Sequence, residues 1–168
     1  MRNKERFTGA SASRSNGFSP TLMVGALAVL LLAVLIVVVW ARGSGATGGA
    51  AVPTGGDVVL AAAEFDDGQA RFYRYATAGG REVRFFVMKS GDGAIRAAFD
   101  TCDVCYRERK GYRQQGSHMI CNNCGQAFRS TDINVLQGGC NPAPLERTVE
   151  GGQVILRAAA IEAGSWYF

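Results

Sequence analysis

Residues 70–89 read Ala-Arg-Phe-Tyr-Arg-Tyr-Ala-Thr-Ala-Gly-Gly-Arg-Glu-Val-Arg-Phe-Phe-Val-Met-Lys. The first limb alternates Phe72, Arg74 and Ala76 with Arg71, Tyr73 and Tyr75. Thr77-Ala78-Gly79-Gly80 supplies a turn, and Arg81 to Lys89 returns with Val83, Phe85 and Val87 on one face. A period of two around a glycine turn predicts a β-hairpin. Outward from it, Ile95 to Phe99 predicts a further strand leading directly into a cysteine pair. Val58 to Phe65 is ambiguous, and Gln153 to Ala160 favours a strand opened by Gly151-Gly152, with a short helix as the alternative. The expected class is therefore mainly β, with α+β as the alternative.

Thr101-Cys102-Asp103-Val104-Cys105 is one CxxC pair, and Cys121-Asn122-Asn123-Cys124-Gly125 is a second, 15 residues further on. That spacing suits a four-thiolate metal site on Cys102, Cys105, Cys121 and Cys124. Two residues between cysteines let one tight turn aim both sulfurs at one ion, with backbone N–H groups pointing at the sulfurs. Gly125 fits a left-handed residue closing such a knuckle. The expected site is a two-knuckle arrangement of the zinc-ribbon or rubredoxin kind. Outside the cytoplasm the same pairs also read as disulfides or a thiol redox site.

The chain has five cysteines in 168 residues, all between Cys102 and Cys140. An odd count excludes complete pairing within the chain. Cys140 stands apart in Gly138-Gly139-Cys140-Asn141-Pro142-Ala143-Pro144. The glycines are expected to let the backbone approach something closely, and the prolines to stiffen the exit. Its readings are a cluster ligand, a fifth thiol tuning the site, or a buried apolar residue. The single histidine, His118, lies three residues before Cys121 and reads as a substitute ligand or a solvated side chain. Between the pairs, Tyr106-Arg107-Glu108-Arg109-Lys110-Gly111-Tyr112-Arg113 reads as a loop with four cations and one acid. A four-thiolate site on a divalent ion carries a charge of about −2 by simple count, which such cations stabilise. They also suit an acidic partner. No residue set reads as an acid–base catalyst, so the chain is not expected to be an enzyme in its own right.

Leu22 to Ala41 is a run of 20 uncharged, mostly aliphatic residues ending on Trp40-Ala41. As a helix it spans about 30 Å, the thickness of a bilayer's hydrocarbon core. Trp40 suits the interfacial aromatic belt. A cleaved signal peptide is the alternative, but the run exceeds a usual signal-peptide core. Arg2, Lys4, Arg6 and Arg14 precede it against Glu5 alone, whereas Arg42 is the only charge after it before Asp57. The positive-inside rule then places residues 1–21 in the cytoplasm, 22–41 across the membrane, 42–56 as a glycine-rich linker and 57–168 as a periplasmic domain. The net charge of +4 is mild, and with this topology it argues against a nucleic-acid partner.

Phe99-Asp100-Thr101-Cys102-Asp103-Val104-Cys105-Tyr106, the Cys121–Gly125 knuckle with Phe128, and Gly138-Gly139-Cys140-Asn141-Pro142 together resemble the FtrD-like membrane iron–sulfur protein family. The resemblance runs from about Asp57 to Ala160. It implies an iron–sulfur protein of a bacterial inner membrane that passes electrons during iron uptake. The implied cluster ligands are Cys102, Cys105, Cys121 and Cys124, with Cys140 a further family cysteine. The implied partners are an iron permease and periplasmic iron- and copper-binding proteins. No Arg-Arg pair precedes the apolar run, so a twin-arginine signal for folded export is not apparent. The centre is then a cluster assembled after export, a single iron, or zinc. The other function classes are a structural zinc-ribbon interaction module and a thiol–disulfide oxidoreductase or metallochaperone.

Overall fold

A computed structural model of the protein describes residues 49–168. The apolar run at 22–41 and the cytoplasmic tail expected before it lie outside the described residues. No helix among the described residues is long and apolar enough to cross a membrane.

The architecture is mainly β, and the predicted hairpin lies at its centre. Strand β3 (Arg71–Ala76) pairs antiparallel with β4 (Glu82–Lys89), placing Tyr75 opposite Val83 and Tyr73 opposite Phe85. The turn closes through the Thr77 N–H donating to the Arg81 carbonyl at 2.9 Å. Gly80 takes φ +77° there, a region L-residues disfavour. Strand β5 (Ile95–Phe99) adds to the other side of β4, with Phe85 opposite Phe99. Ahead of β3, the two residues of β1 (Ala50–Ala51) pair with it in parallel. This stretch was expected to belong to the linker. It reaches the sheet because Gly49 has no side chain: a Cβ there would meet the Phe72 backbone at 2.5 Å.

Four consecutive β4 residues, Phe85-Phe86-Val87-Met88, are buried. A strand's side chains alternate between faces, so this sheet is covered on both sides. On one face Val83, Phe85 and Val87 pack with Tyr75, Phe99, Val154, Leu156 and Ile161. On the other, Phe86 and Met88 pack with Ala98, Tyr112, Met119, Ile133 and two cysteines. Each such fully buried Phe, Met or Val contributes about 1.5–3 kcal/mol.

The first face is covered by a sheet of β2 (Val58–Ala61), β10 (Gln153–Leu156) and β9 (Thr148–Glu150), in that order with β10 central. One open reading is resolved here and one expectation is corrected. The ambiguous Val58–Phe65 stretch divides into β2 and a 3-10 turn, Ala62–Phe65, that buries Phe65. The stretch favoured as one strand, Gln153–Ala160, is β10 followed by helix α1 (Ala158–Ala163). Asp57 starts that helix, its carboxylate accepting from the Ala158 N–H at 2.9 Å and from Arg157 at 2.7 Å. The second face is covered by a meander of β6 (Tyr112–Gln115), β7 (His118–Cys121) and β8 (Ala127–Arg129). The charged segment between the cysteine pairs is therefore not simply a loop. It contains a 3-10 turn, Tyr106–Glu108, and the start of β6.

Candidate metal centre

The first knuckle grows out of β5. Beyond Phe99, Asp100 donates its N–H to the Arg84 carbonyl at 2.9 Å, and the Thr101 carbonyl accepts from the Ala143 N–H at 2.9 Å. These bonds hold the chain straight up to Cys102, where it turns. The Cys105 N–H then donates to the Cys102 sulfur at 3.2 Å, the N–H-to-sulfur bond expected of a CxxC turn. The second knuckle joins β7 to β8. The Cys121 N–H donates to the Gln126 carbonyl and the Gly125 N–H to the Cys121 carbonyl, both at 2.9 Å. Gly125 has φ +76°, the left-handed closure expected from sequence.

Cys140 reaches the same place because its following segment lines the free edge of β5. Leu145 donates to the Ala97 carbonyl at 3.1 Å, Phe99 donates to the Ala143 carbonyl at 2.8 Å, and Ala98 bridges Pro144. The glycines before Cys140 act otherwise than expected. A Cβ at Gly138 or Gly139 would meet nothing within 4 Å, whereas their φ values are +85° and +62°. They supply a left-handed turn, not a close approach.

The five thiols converge in two overlapping groups. The sulfurs of Cys102, Cys105 and Cys121 lie within 4.8 Å of one another, as do those of Cys105, Cys124 and Cys140. Cys105 belongs to both, and its sulfur is 3.7 Å from that of Cys140. Cys102 and Cys121 are buried, Cys105 and Cys140 half-buried, and Cys124 exposed. The four CxxC cysteines expected to form one tetrahedron are thus brought together, but Cys124 groups with Cys140 and Cys105. His118 sits on β7 with its Nδ1 3.3 Å from the Ser117 hydroxyl, and it belongs to neither group.

Burial pushes the Cys121 thiol up to about 11, against the backbone N–H groups of Cys124 and Asn123, which favour its thiolate. Burial also raises Cys140, helped by Cys124 and Cys105. Cys124 moves the other way, drawn down first by the Gln126 N–H. Metal binding at Cys121 and Cys140 therefore displaces protons. The space bounded by Thr101, Cys102, Cys105, Tyr112 and Cys121 is about 10 Å³. That is about one water-sized sphere, so it suits an ion and not an organic ligand. An all-sulfur donor set with N–H groups aimed at it fits iron–sulfur or zinc chemistry.

Three supporting residues escaped the sequence reading. Asp100 is buried, and burial raises its carboxyl to about 6 against the Tyr112 N–H and the charge of Arg84. Its Oδ1 accepts the Tyr112 N–H at 2.6 Å. Gly111 is required beside it, since a Cβ there would lie 2.4 Å from the Asp100 carboxylate. Tyr112 donates its hydroxyl to the Cys140 carbonyl at 2.5 Å. An aromatic group from the Ser165–Tyr167 turn covers the first knuckle. Tyr167 donates to Asp103 at 2.5 Å and stacks on Trp166, while Tyr106 meets both rings edge-on. The run Trp166-Tyr167-Phe168 was the available signal. Around the rim, Arg107, Arg109, Lys110 and Arg113 are exposed, and none forms an ion pair among the described residues.

The family of FtrD-like membrane iron–sulfur containing proteins matches residues 65–168. The chain belongs to this family. Membership makes this FtrD-like protein iron-related and membrane-associated, and it agrees with a thiol cluster suited to metal. No curated protein and no solved structure matches it.

Proposed function

We propose that this FtrD-like chain is a membrane-anchored electron carrier with an iron–thiolate or iron–sulfur centre, serving iron uptake outside the cytoplasm. The convergence of all five thiols at one end of β5 is the observation that supports it. Iron held by cysteine sulfur supplies a one-electron couple. The chain's own residues do the rest. Backbone N–H groups at Cys105, Asn123, Cys124 and Gln126 face sulfurs and stabilise their negative charge. Met119, Phe86 and Met88 keep water from the inner side of the cluster. The four rim cations offset the thiolates' charge and give an acidic partner a docking edge.

The residues proposed as ligands are Cys102, Cys105, Cys121 and Cys124, with Cys140 as a further sulfur of the centre. In this reading residues 22–41 span the inner membrane once, with the N-terminus cytoplasmic and the described domain periplasmic. The partners proposed are a separate iron permease and periplasmic iron- or copper-binding proteins.

Anaerobic metal analysis of the purified full chain, coupled to its absorption spectrum and voltammetry, tests the proposal. Iron with visible charge-transfer bands and a reversible reduction wave is expected. Stoichiometric zinc with no visible absorption would leave an interaction module instead. Intact CxxC disulfides, found by alkylation without reductant, would point to thiol chemistry.

A further inference from the structure

We infer that the five thiols hold two metal positions, with Cys105 as the ligand common to both. The inference rests on the proposed thiolate centre and goes beyond it in number of ions and in ligand assignment. The inner position is formed by Cys102, Cys105 and Cys121, and the outer by Cys105, Cys124 and Cys140.

The distances carry the argument. Metal–sulfur bonds of about 2.3 Å put the sulfurs on one ion roughly 3.8–4.0 Å apart, for tetrahedral or trigonal geometry. Each group, with its sulfurs within 4.8 Å of one another, is the right size for one ion. The five sulfurs together are not one such group, since Cys102 and Cys121 do not share one with Cys140. Thiolate sites are moreover four-coordinate, so a single ion has no place for a fifth cysteine. A single tetrahedron on the two CxxC pairs would leave Cys140 idle, yet its sulfur is 3.7 Å from that of Cys105.

Charge gives the same answer. By simple count, five thiolates around one divalent ion carry about −3, and around two about −1. A half-buried site favours the smaller residual charge. Each position offers three protein sulfurs, one short of the usual four.

The two positions differ in exposure. The inner one has two buried sulfurs, on Cys102 and Cys121, whereas the outer one has the exposed Cys124 and half-buried Cys140. The outer ion therefore exchanges first.

Cadmium-113 NMR of the full chain in detergent, reduced, stripped of metal and titrated with ¹¹³Cd²⁺ alone, tests this. Two cadmium ions per chain are expected, giving two resonances in the sulfur-ligand region, each split by the other through the common sulfur. Cys140→Ser should leave one ion and one unsplit resonance. A chelator should remove the outer ion at least tenfold faster than the inner. Uptake of one ion or none, or two resonances without mutual splitting, would overturn the inference, and the wild-type spectrum decides this even if the variant does not fold. The electron-carrier reading fails separately: two coupled cadmium ions with no reversible iron wave would remove that reading and leave this inference standing. A reversible wave with one cadmium ion would do the reverse.

Discussion

Gly111→Ala should destabilise the domain well beyond what its backbone angle alone accounts for, and Gly116→Ala provides the control. Both glycines have left-handed φ, +63° and +57°. At Gly116 a Cβ would meet nothing within 4 Å, so the change costs only the left-handed conformation, roughly 1–2 kcal/mol. At Gly111 the same Cβ would sit 2.4–2.6 Å from the Asp100 carboxylate. Asp100 must then move off the Tyr112 N–H that it now holds at 2.6 Å. A buried bond to a charged group contributes about 1.5–3 kcal/mol, so the total for Gly111→Ala is about 2.5–5 kcal/mol. An unfolding entropy of about 2.1 cal/mol/K per residue converts each kcal/mol into roughly 4 °C for a domain of this size. Gly111→Ala should therefore lower Tm by about 10–20 °C and Gly116→Ala by about 4–8 °C. The assay is thermal unfolding of the reduced, metal-free chain followed by circular dichroism. Equal shifts for the two variants would show that Asp100 does not hold the turn against β6.

Tyr112→Phe removes the hydroxyl bond to the Cys140 carbonyl and should cost about 1 kcal/mol in denaturant melts. An unchanged midpoint would mean that this bond does not hold Cys140 in place. Asp92 is held down to about 2, first by the Ser90 hydroxyl and then by the Ala94 N–H and Arg96. Its folded pKa lies below the unfolded value of about 3.9, so its stabilisation is present above pH 4 and lost as pH falls through 2. Asp92→Asn should lose less stability than wild type between pH 4 and pH 2, and parallel curves for the two would contradict this. Loading the chain with metal at 100 times its Kd should add about 2.7 kcal/mol to stability. Cys102→Ser should abolish most of that gain in the same melts, because it removes a buried sulfur of the inner group.

The elements legible in sequence were those whose pattern is local. The β3–β4 hairpin announced itself by alternation around two glycines, and both knuckles by cysteine spacing and Gly125. The β6–β7–β8 meander was hidden because Arg113, Gln114 and Gln115 give β6 a polar composition. What makes it a strand is its antiparallel ladder with β7, and Asp100, 12 positions away, anchors its first N–H. Cys140 was legible as a thiol but not as a neighbour, since its position depends on Ala143–Leu145 pairing with β5. The second buried face of β4 was likewise obscured. Phe85-Phe86-Val87-Met88 is apolar at every position, so one face could be read off the hairpin but the covering on both could not. Asp57 starting α1 across 101 positions has no local signature at all. The predicted membrane span lies outside the described residues.

The pairing of β2 with β10 carries a consequence for how the protein is assembled. The Asp57–Arg157 ion pair beside it closes a loop of 100 positions, and all five cysteines lie within that loop. Their own separations are shorter, 35 positions for Cys105 and Cys140 and fewer within each knuckle. Short loops close before long ones, because their entropy of closure is smaller. On loop entropy alone, the thiols are expected to meet before β2 finds its partner. A half-built chain would then already present its sulfurs to a metal ion, with no passage needed through a finished wall. In that order the sheet of β2, β10 and β9 is completed around thiols that have already met, with or without metal.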